Sequence, residues 1–266
     1  MFKVYPLFSS SSGNMYLMKS NNSNILVDIG VTYKKVKESL CAVNLKPSDI
    51  DVICITHEHT DHIKGLVTFV KDNPSVPIYA SEGTLKYLTS LFEEKKVSFS
   101  PNLISILPYE KYIINDIELS SFKTLHDAID PVGYKISCGE KCVTIATDLG
   151  MMTESVFSNL RDSDFSIIES NYDKGMLLAG KYPFELKRRI QGNYGHLSND
   201  DSGQVIVELA KEGKRNFLLG HLSENNNMPC VAKENIISSL TIAGFNVDDF
   251  NINLASKDFS AEAYLL

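Results

Sequence analysis

Residues 51–62 read Asp51-Val52-Ile53-Cys54-Ile55-Thr56-His57-Glu58-His59-Thr60-Asp61-His62. The first half, Asp51 to Thr56, is a short apolar run of the kind buried on both faces within a sheet. It leads straight into His57, and three of the chain's six histidines then fall within six positions, with Asp61 among them. A strand running into such a loop suits a metal, because the strand fixes the backbone and the loop lets alternating side chains converge. The His57-x-His59 spacing lets two imidazoles bind one ion, while the Asp61-His62 pair faces a second. Imidazole and carboxylate are good ligands for zinc, manganese and iron, and no thiolate is offered. A solvated loop that happens to be rich in histidine is the bland alternative, and the clustering argues against it.

On either side of this stretch, strand-like and helix-like segments alternate along the whole chain. Asn24 to Asp28 predicts a short apolar strand, and residues 32–45 carry Val36, Leu40 and Val43 at helical spacing. Residues 63–72 return to helical spacing, Val76 to Ala80 predicts a strand, and residues 82–92 predict a helix capped by Ser81. Tyr112 to Phe122 predicts a hairpin turning at Asn115-Asp116. Tyr134 to Ser137 and Cys142 to Ala146 predict a second hairpin, with Gly139 in its turn. From 153 the pattern is helix, strand (165–169), helix (199–211), strand (216–219), helix (231–242) and strand (250–254). Strand clusters in both halves with flanking helices predict an α/β, αββα four-layer sandwich of two mixed sheets. No low-complexity linker interrupts it, so residues 1–266 are read as one domain.

Three more metal-type side chains follow strand ends in this pattern. His126 follows the strand of the first hairpin, Asp148 follows Val143–Thr147, and His221 follows Phe217–Gly220. Any one of them alone would read as structural. Four separate strand ends delivering such ligands is not a chance scatter.

Composition narrows the class. The 266 residues are 43% hydrophobic, enough for a substantial core, and carry a net charge of −7. An acidic chain argues mildly against wholesale coating of nucleic acid, since affinity for phosphate comes largely from neutralising it. No apolar stretch of about 18 residues is present, so no transmembrane helix and no membrane partner are expected. The N-terminus lacks the apolar core of a secretory signal. The five cysteines form no C-x-x-C pair and are odd in number, which predicts reduced thiols in a cytoplasmic protein.

The His57-x-His59-x-Asp61-His62 motif with the later His126, Asp148 and His221 resembles the metallo-β-lactamase superfamily over nearly the whole chain. That resemblance implies that His57, His59 and His126 hold a first divalent metal. Asp61, His62 and His221 would hold a second, with Asp148 bridging both. Two cations would make hydroxide available near neutral pH and stabilise charge on a substrate oxygen, with Asp61 as partner for the nucleophile's proton.

The superfamily hosts many reactions, so the branch rests on local features. Gly195-His196-Leu197-Ser198 places the sixth histidine directly before a helix capped by Ser198, a good phosphate pocket in which His196 can protonate a leaving oxygen. Lys187-Arg188-Arg189 is a dense basic cluster close to it, read either as a solvated helix face or as a backbone-phosphate contact. Ser9 to Asn14 forms a polar loop after the first strand, in which Ser12 and Asn14 can hydrogen-bond a phosphate, unless the loop is simply a turn.

Longer strings carry a finer resemblance. Ser9–Asn14, Thr56–His62, Ala146-Thr147-Asp148, Glu169-Ser170-Asn171, Leu186–Ile190, Gly195–Asn199 and Leu219–Ser223 are similar to the YycJ (WalJ or VicX) family. This resemblance implies phosphodiester hydrolysis, with 5′-to-3′ exonuclease action on duplex DNA and a place in DNA repair. Leu125 and Met15 depart from the family's pattern, and neither is a ligand position. The rival is a small-molecule hydrolase, a cyclic phosphodiesterase or thioesterase, with the same metals and a solvated Lys187–Arg189 face. An iron-based redox enzyme would tend to carry a carboxylate where His59 stands. A catalytically silent module would have lost ligands, and here all seven are present.

Overall fold

The computed structural model describes residues Met1–Leu266. Its first half contains β1 (Lys3–Ser10), β2 (Gly13–Lys19), β3 (Asn24–Val27), α1 (Tyr33–Ala42) and β4 (Val52–Cys54). It continues with α2 (Thr60–Ile63), α3 (Leu66–Asp72), β5 (Ile78–Ala80), α4 (Glu82–Glu94) and β6 (Leu103–Ser105). The second half opens on β7 (Lys111–Ile114), β8 (Ile117–Lys123), β9 (Val132–Cys138), β10 (Lys141–Ala146), α5 (Glu154–Arg161) and β11 (Phe165–Glu169). It then runs through α6 (Lys174–Ala179), α7 (Phe184–Gln191), α8 (Asn199–Lys211), β12 (Asn216–Gly220), α9 (Pro229–Ile242), β13 (Asn251–Leu254) and β14 (Tyr264–Leu265).

These strands form two seven-stranded sheets, ordered β14-β1-β2-β3-β4-β5-β6 and β13-β12-β11-β10-β9-β8-β7. Each sheet begins as an antiparallel meander and ends in parallel strands joined by helices. The first turns parallel at β3–β4 and the second at β10–β11.

Both faces of each sheet are apolar, and the period of two along a strand assigns side chains to layers. In β2, Met15 and Leu17 face one way, into the cluster formed with α1, α3 and α4, while Tyr16 and Met18 face the opposite sheet. In β12, Leu218 joins that inter-sheet layer, while Phe217 and Leu219 pack beneath α5, α8 and α9. Three apolar layers therefore separate four layers of secondary structure, which is the predicted αββα sandwich. Burial on both faces explains why the strands read as unbroken apolar runs. Leu218 is fully buried between the sheets, and trimming such a leucine to alanine costs about 2–5 kcal/mol.

Local expectations were met at both hairpins, where Asn115 and Gly139 take the left-handed conformation a tight turn needs (φ +52° and +60°). Ser81 caps α4 by accepting the Thr84 amide, and Ser198 caps α8 in a reciprocal box with Asp201. Other details differ. The strand expected through Thr56 ends at Cys54, because the Thr56 amide donates to the Asp28 Oδ1 atom at 2.9 Å instead of continuing the ladder. The helix expected over 63–72 divides into α2 and α3 at Gly65, where an added Cβ would lie 2.4 Å from the Val31 carbonyl oxygen. The Ser9–Asn14 loop is shorter than expected: Ser9 pairs with Asn14 and Ser10 with Gly13, leaving a tight turn at Ser11-Ser12. Helices α6 and α7 were not anticipated, and α7 buries no residue whole, so it leaves no apolar stripe to read.

Candidate metal centre

Four strand ends meet along one edge of the sandwich. His57 and His59 follow β4, His126 follows β8, Asp148 follows β10 and His221 follows β12, while Asp61 and His62 lie in the short α2. Three backbone positions here, Asp28, Asp148 and His221, hold positive φ of 62°, 57° and 56°. That conformation is unfavourable for residues with a Cβ and persists only where the surroundings impose it.

The seven side chains predicted from sequence come together. Donor atoms of His57, His59 and His126 lie within 4.8 Å of one another, as do those of Asp61, His62 and His221, and those of His57, His62 and Asp148. Asp148 stands between the groups: its Oδ2 is 3.2 Å from His62 Nε2, and its Oδ1 is 3.5 Å from both His126 Nε2 and His221 Nε2. Asp61 Oδ2 lies 3.4 Å from the Nε2 atoms of His62 and His221.

Four of the five imidazoles, all but His59, are oriented through the far nitrogen. His62 Nδ1 donates to Asp28 Oδ2 at 2.7 Å, His126 Nδ1 to the Gly195 carbonyl at 3.0 Å, and His221 Nδ1 to Glu169 Oε1 at 2.9 Å. His57 Nδ1 faces the Thr56 hydroxyl at 3.1 Å. Such bonds fix the tautomer that turns the Nε2 lone pair into the centre. His57 Nε2 is buried and has no hydrogen-bond partner. Burying a polar atom without a partner costs about 1–3 kcal/mol, and a cation at the point where the Nε2 atoms converge removes that cost. The donor set, all imidazole nitrogen and carboxylate oxygen, thus fits a borderline or hard divalent ion.

Charge agrees with this placement. Burial alone would raise the Asp148 carboxyl, but His221, His62 and His126 around it hold it well below the usual carboxylate range. Burial likewise works against Asp61 ionising, and again the neighbouring His62 and His221 prevail and lower it. Burial would lower His221, yet Asp148, Asp61 and Glu169 push it up to about 10. His62 moves the same way against its burial, because Asp28, Asp148 and Asp61 surround it.

Two carboxylates supporting the centre were not foreseen. Asp28 binds His62 and also accepts the Thr56 hydroxyl at 2.9 Å. Glu169 is fully buried, and both its oxygens are shared. Its Oε1 accepts from His196 Nδ1 at 2.7 Å and His221 Nδ1 at 2.9 Å, and its Oε2 accepts the Leu149 and Leu197 amides at 2.8 and 3.2 Å. Each ends an apolar strand, and a carboxylate at such a place was the available signal.

The remaining candidates distribute around the rim. His196 is partly exposed, and its ring stands 5.0 Å from His126 and 5.3 Å from His221. It opens on a cleft of about 230 Å³ that Ser11, Tyr182 and Arg189 also line. Asn14 is buried against the centre, its Nδ2 lying 3.2 Å from His62 Nε2 and 3.5 Å from Asp61 Oδ2. Ser12 is exposed and donates to Glu224 Oε1 at 2.7 Å. In α7, Lys187 is occupied by the Leu178 and Gly180 carbonyls, both at 2.7 Å, and Arg189 pairs with Asp127. Arg188 is exposed beside the Phe184 ring.

The sequence profile of the β-lactamase superfamily domain matches residues 23–222. Exodeoxyribonuclease WalJ of Streptococcus pneumoniae (serotype 2, strain D39) is 33% identical over 258 residues, covering 97% of this chain and 95% of the relative. Exodeoxyribonuclease YycJ of Bacillus anthracis is 30% identical over 247 residues, covering 91% and 90%. The crystal structure of Zn²⁺-bound PqqB from Methylobacterium extorquens shares the fold, with a TM-score of 0.72 at 13% identity over both whole chains.

Proposed function

This chain belongs to the β-lactamase superfamily and, within it, to the family of the exodeoxyribonucleases WalJ and YycJ, and on that premise we infer that it is a metal-dependent exonuclease hydrolysing duplex DNA from the 5′ end. The observation that carries the reading is the gathering of seven imidazole and carboxylate side chains, from four strand ends and the short α2, into overlapping groups of three. We assign two divalent ions, zinc or manganese with iron as a further candidate. His57, His59 and His126 would hold one, Asp61, His62 and His221 the other, with Asp148 placed between the two sets. No helix is long and apolar enough to cross a membrane, and residues 1–266 act as one hydrolase domain in the cytoplasm.

When bound, the ions make hydroxide available near neutral pH and neutralise charge on the phosphodiester. The chain's own residues do the rest. Asp61, kept ionised by His62 and His221, accepts a hydrogen bond from the attacking water and orients it. His196 protonates the departing oxygen through Nε2, because Glu169 already occupies Nδ1. Glu169 ties that acid to the metal ligand His221, so one buried carboxylate sets both. Asn14 braces Asp61 and His62 from the turn that Ser12 shares. Arg188 and Arg189, with Lys187 behind them, position backbone phosphates along α7. The modest cleft also suits a small phosphodiester, and the assay separates the two.

The test is degradation of end-labelled linear duplex DNA by purified protein with manganese, zinc or chelator, beside an Asp61→Ala/His62→Ala variant. Metal-dependent shortening from the 5′ end, absent in the variant, is the expected result. No shortening by protein holding its ions would move the substrate to a small phosphodiester.

A further inference from the structure

A second cleft, of about 160 Å³, shares the Ser11-Ser12 turn with the His196 cleft. Phe8, Ser12, Thr32, Lys35, Lys64 and Lys257 contribute to its walls, and no carboxylate lines it. All three lysines are exposed, and none forms an ion pair. In a chain of net charge −7 with 26 basic and 33 acidic residues, three lysines that gather without a carboxylate partner leave their mutual repulsion unrelieved, with Lys35 resting over the Phe8 ring at 5.4 Å. Sequence does not explain the gathering. Lys35 comes from the first turn of α1, Lys64 from the end of α2, and Lys257 from the segment after β13. Lys35 and its neighbour Lys34 also stand at a helix N-terminus with no acidic residue in the first turn, the end that favours anions over cations.

The cleft abuts the metal centre through two chain connections. Lys64 lies two residues after His62, and Ser12 lies two residues before Asn14, whose Nδ2 reaches Asp61 and His62. The two faces of one turn therefore open on two different grooves: Ser11 lines the groove with His196 and Arg189, and Ser12 lines the groove with the lysines. Both grooves carry basic side chains, Arg189 paired with Asp127 in one and the three lysines in the other.

We propose that Lys35, Lys64 and Lys257 form a phosphate-binding groove that holds the nucleic-acid backbone on the side of the metal centre away from α7. The proposal rests on the nuclease reading above. It assigns to the groove non-scissile phosphates, held electrostatically with Thr32 as a hydrogen-bond donor, the Ser12 hydroxyl being engaged by Glu224. Sequence preference is not expected there, since phosphate contacts position a strand without reading it.

The test measures binding of a labelled, phosphorothioate-linked duplex that resists hydrolysis, by anisotropy across salt from ~50 to ~200 mM. For Lys35→Ala/Lys64→Ala/Lys257→Ala, the slope of log affinity against log salt should become shallower by about 2 to 3, at ~0.9 for each phosphate no longer neutralised. The matching triple arginine variant should keep the slope. Lys34→Ala/Lys37→Ala should keep it as well, since Lys34 pairs with Glu38 and neither residue lines the groove. Thermal melts establish that each variant is folded. An unchanged slope in the alanine triple, with wild type binding normally, removes the groove alone. Wild type that binds no duplex at low salt removes the nuclease reading and the groove together.

Discussion

Glu169 shows how much can depend on one carboxylate. It accepts four hydrogen bonds, two from imidazoles and two from amides, so no lone pair is left for adjustment. Glutamine at this position keeps the volume but replaces one acceptor oxygen with a donor, and one pair of bonds must break. For Glu169→Gln the expected outcome is a 10–100-fold weaker ion at the His221 site, roughly the effect of losing such a supporting partner. Turnover should stay low at saturating metal because His196 is released as well. Metal titration alongside kcat separates the two, and full recovery of kcat by added metal would leave Glu169 with a purely metal-supporting role. His196→Ala should do the converse: metal content near normal, and kcat lower by about 10²–10⁴-fold, the usual contribution of a general acid. Loss of an ion from that variant, measured by elemental analysis, would move His196 into the ligand set.

Among elements, α7 separates what sequence can show from what it cannot. Strands β4, β10, β11 and β12 were legible because burial on both faces leaves unbroken apolar runs, and the ligands were legible because they follow such runs. Helices α6 and α7 leave no such mark; they are short, with a single wholly buried side chain, Leu177, between them. Asp173 caps α6 by accepting the Met176 amide at 2.7 Å, whereas α7 starts after Pro183 with no side-chain cap. The support from Asp28 and Glu169 was hidden for another reason, since each meets its histidine only after the chain has folded across 34 and 52 positions. Lys187-Arg188-Arg189 looks like one basic cluster in sequence, yet its members are placed differently. Lys187 closes the end of α6 through two carbonyls, whereas Arg188 and Arg189 are exposed. Arg188→Ala/Arg189→Ala should therefore make the salt dependence of duplex binding shallower by about 1 to 2. Lys187→Ala should leave that slope alone and lower Tm by about 2–4 °C, for roughly 1 kcal/mol of lost hydrogen bonding. The opposite assignment of the two effects would mean that the cluster's free charge lies at Lys187.

At the scale of the whole molecule, the metal centre lies where two halves meet that are also joined by an apolar layer and by hydrogen bonds such as Ser20 to Asp116 and Tyr134 to the Ile55 carbonyl. His57, His59, Asp61 and His62 follow a strand of one sheet, and His126, Asp148 and His221 follow strands of the other. Ions held by both sets bind the folded state and not the unfolded chain, so they add stability by mass action. The gain is about 4 kcal/mol at a thousandfold excess over Kd. At ~2–4 °C per kcal/mol for a chain of this size, chelation should lower Tm by roughly 8–16 °C. The metal-free centre keeps a partial substitute, because protons take the place of ions on His62 and His221, while burial disfavours them on His57 and His126. His221, pushed up to about 10 by Asp148, Asp61 and Glu169 against its own burial, is the clearest case. A group whose folded pKa is raised contributes its full stability below the unfolded value of ~6.5 and loses it as pH rises through the folded value. The chelated protein should accordingly lose stability between pH ~7 and ~10, while the loaded protein, whose imidazole lone pairs are held by cations, should not lose it on that account. The gap in Tm between loaded and chelated protein should widen with pH over that window in calorimetry. A gap that stays constant would show that the imidazoles carry no protons in the metal-free fold, and no gap at any pH would show that no ion joins the two sheets.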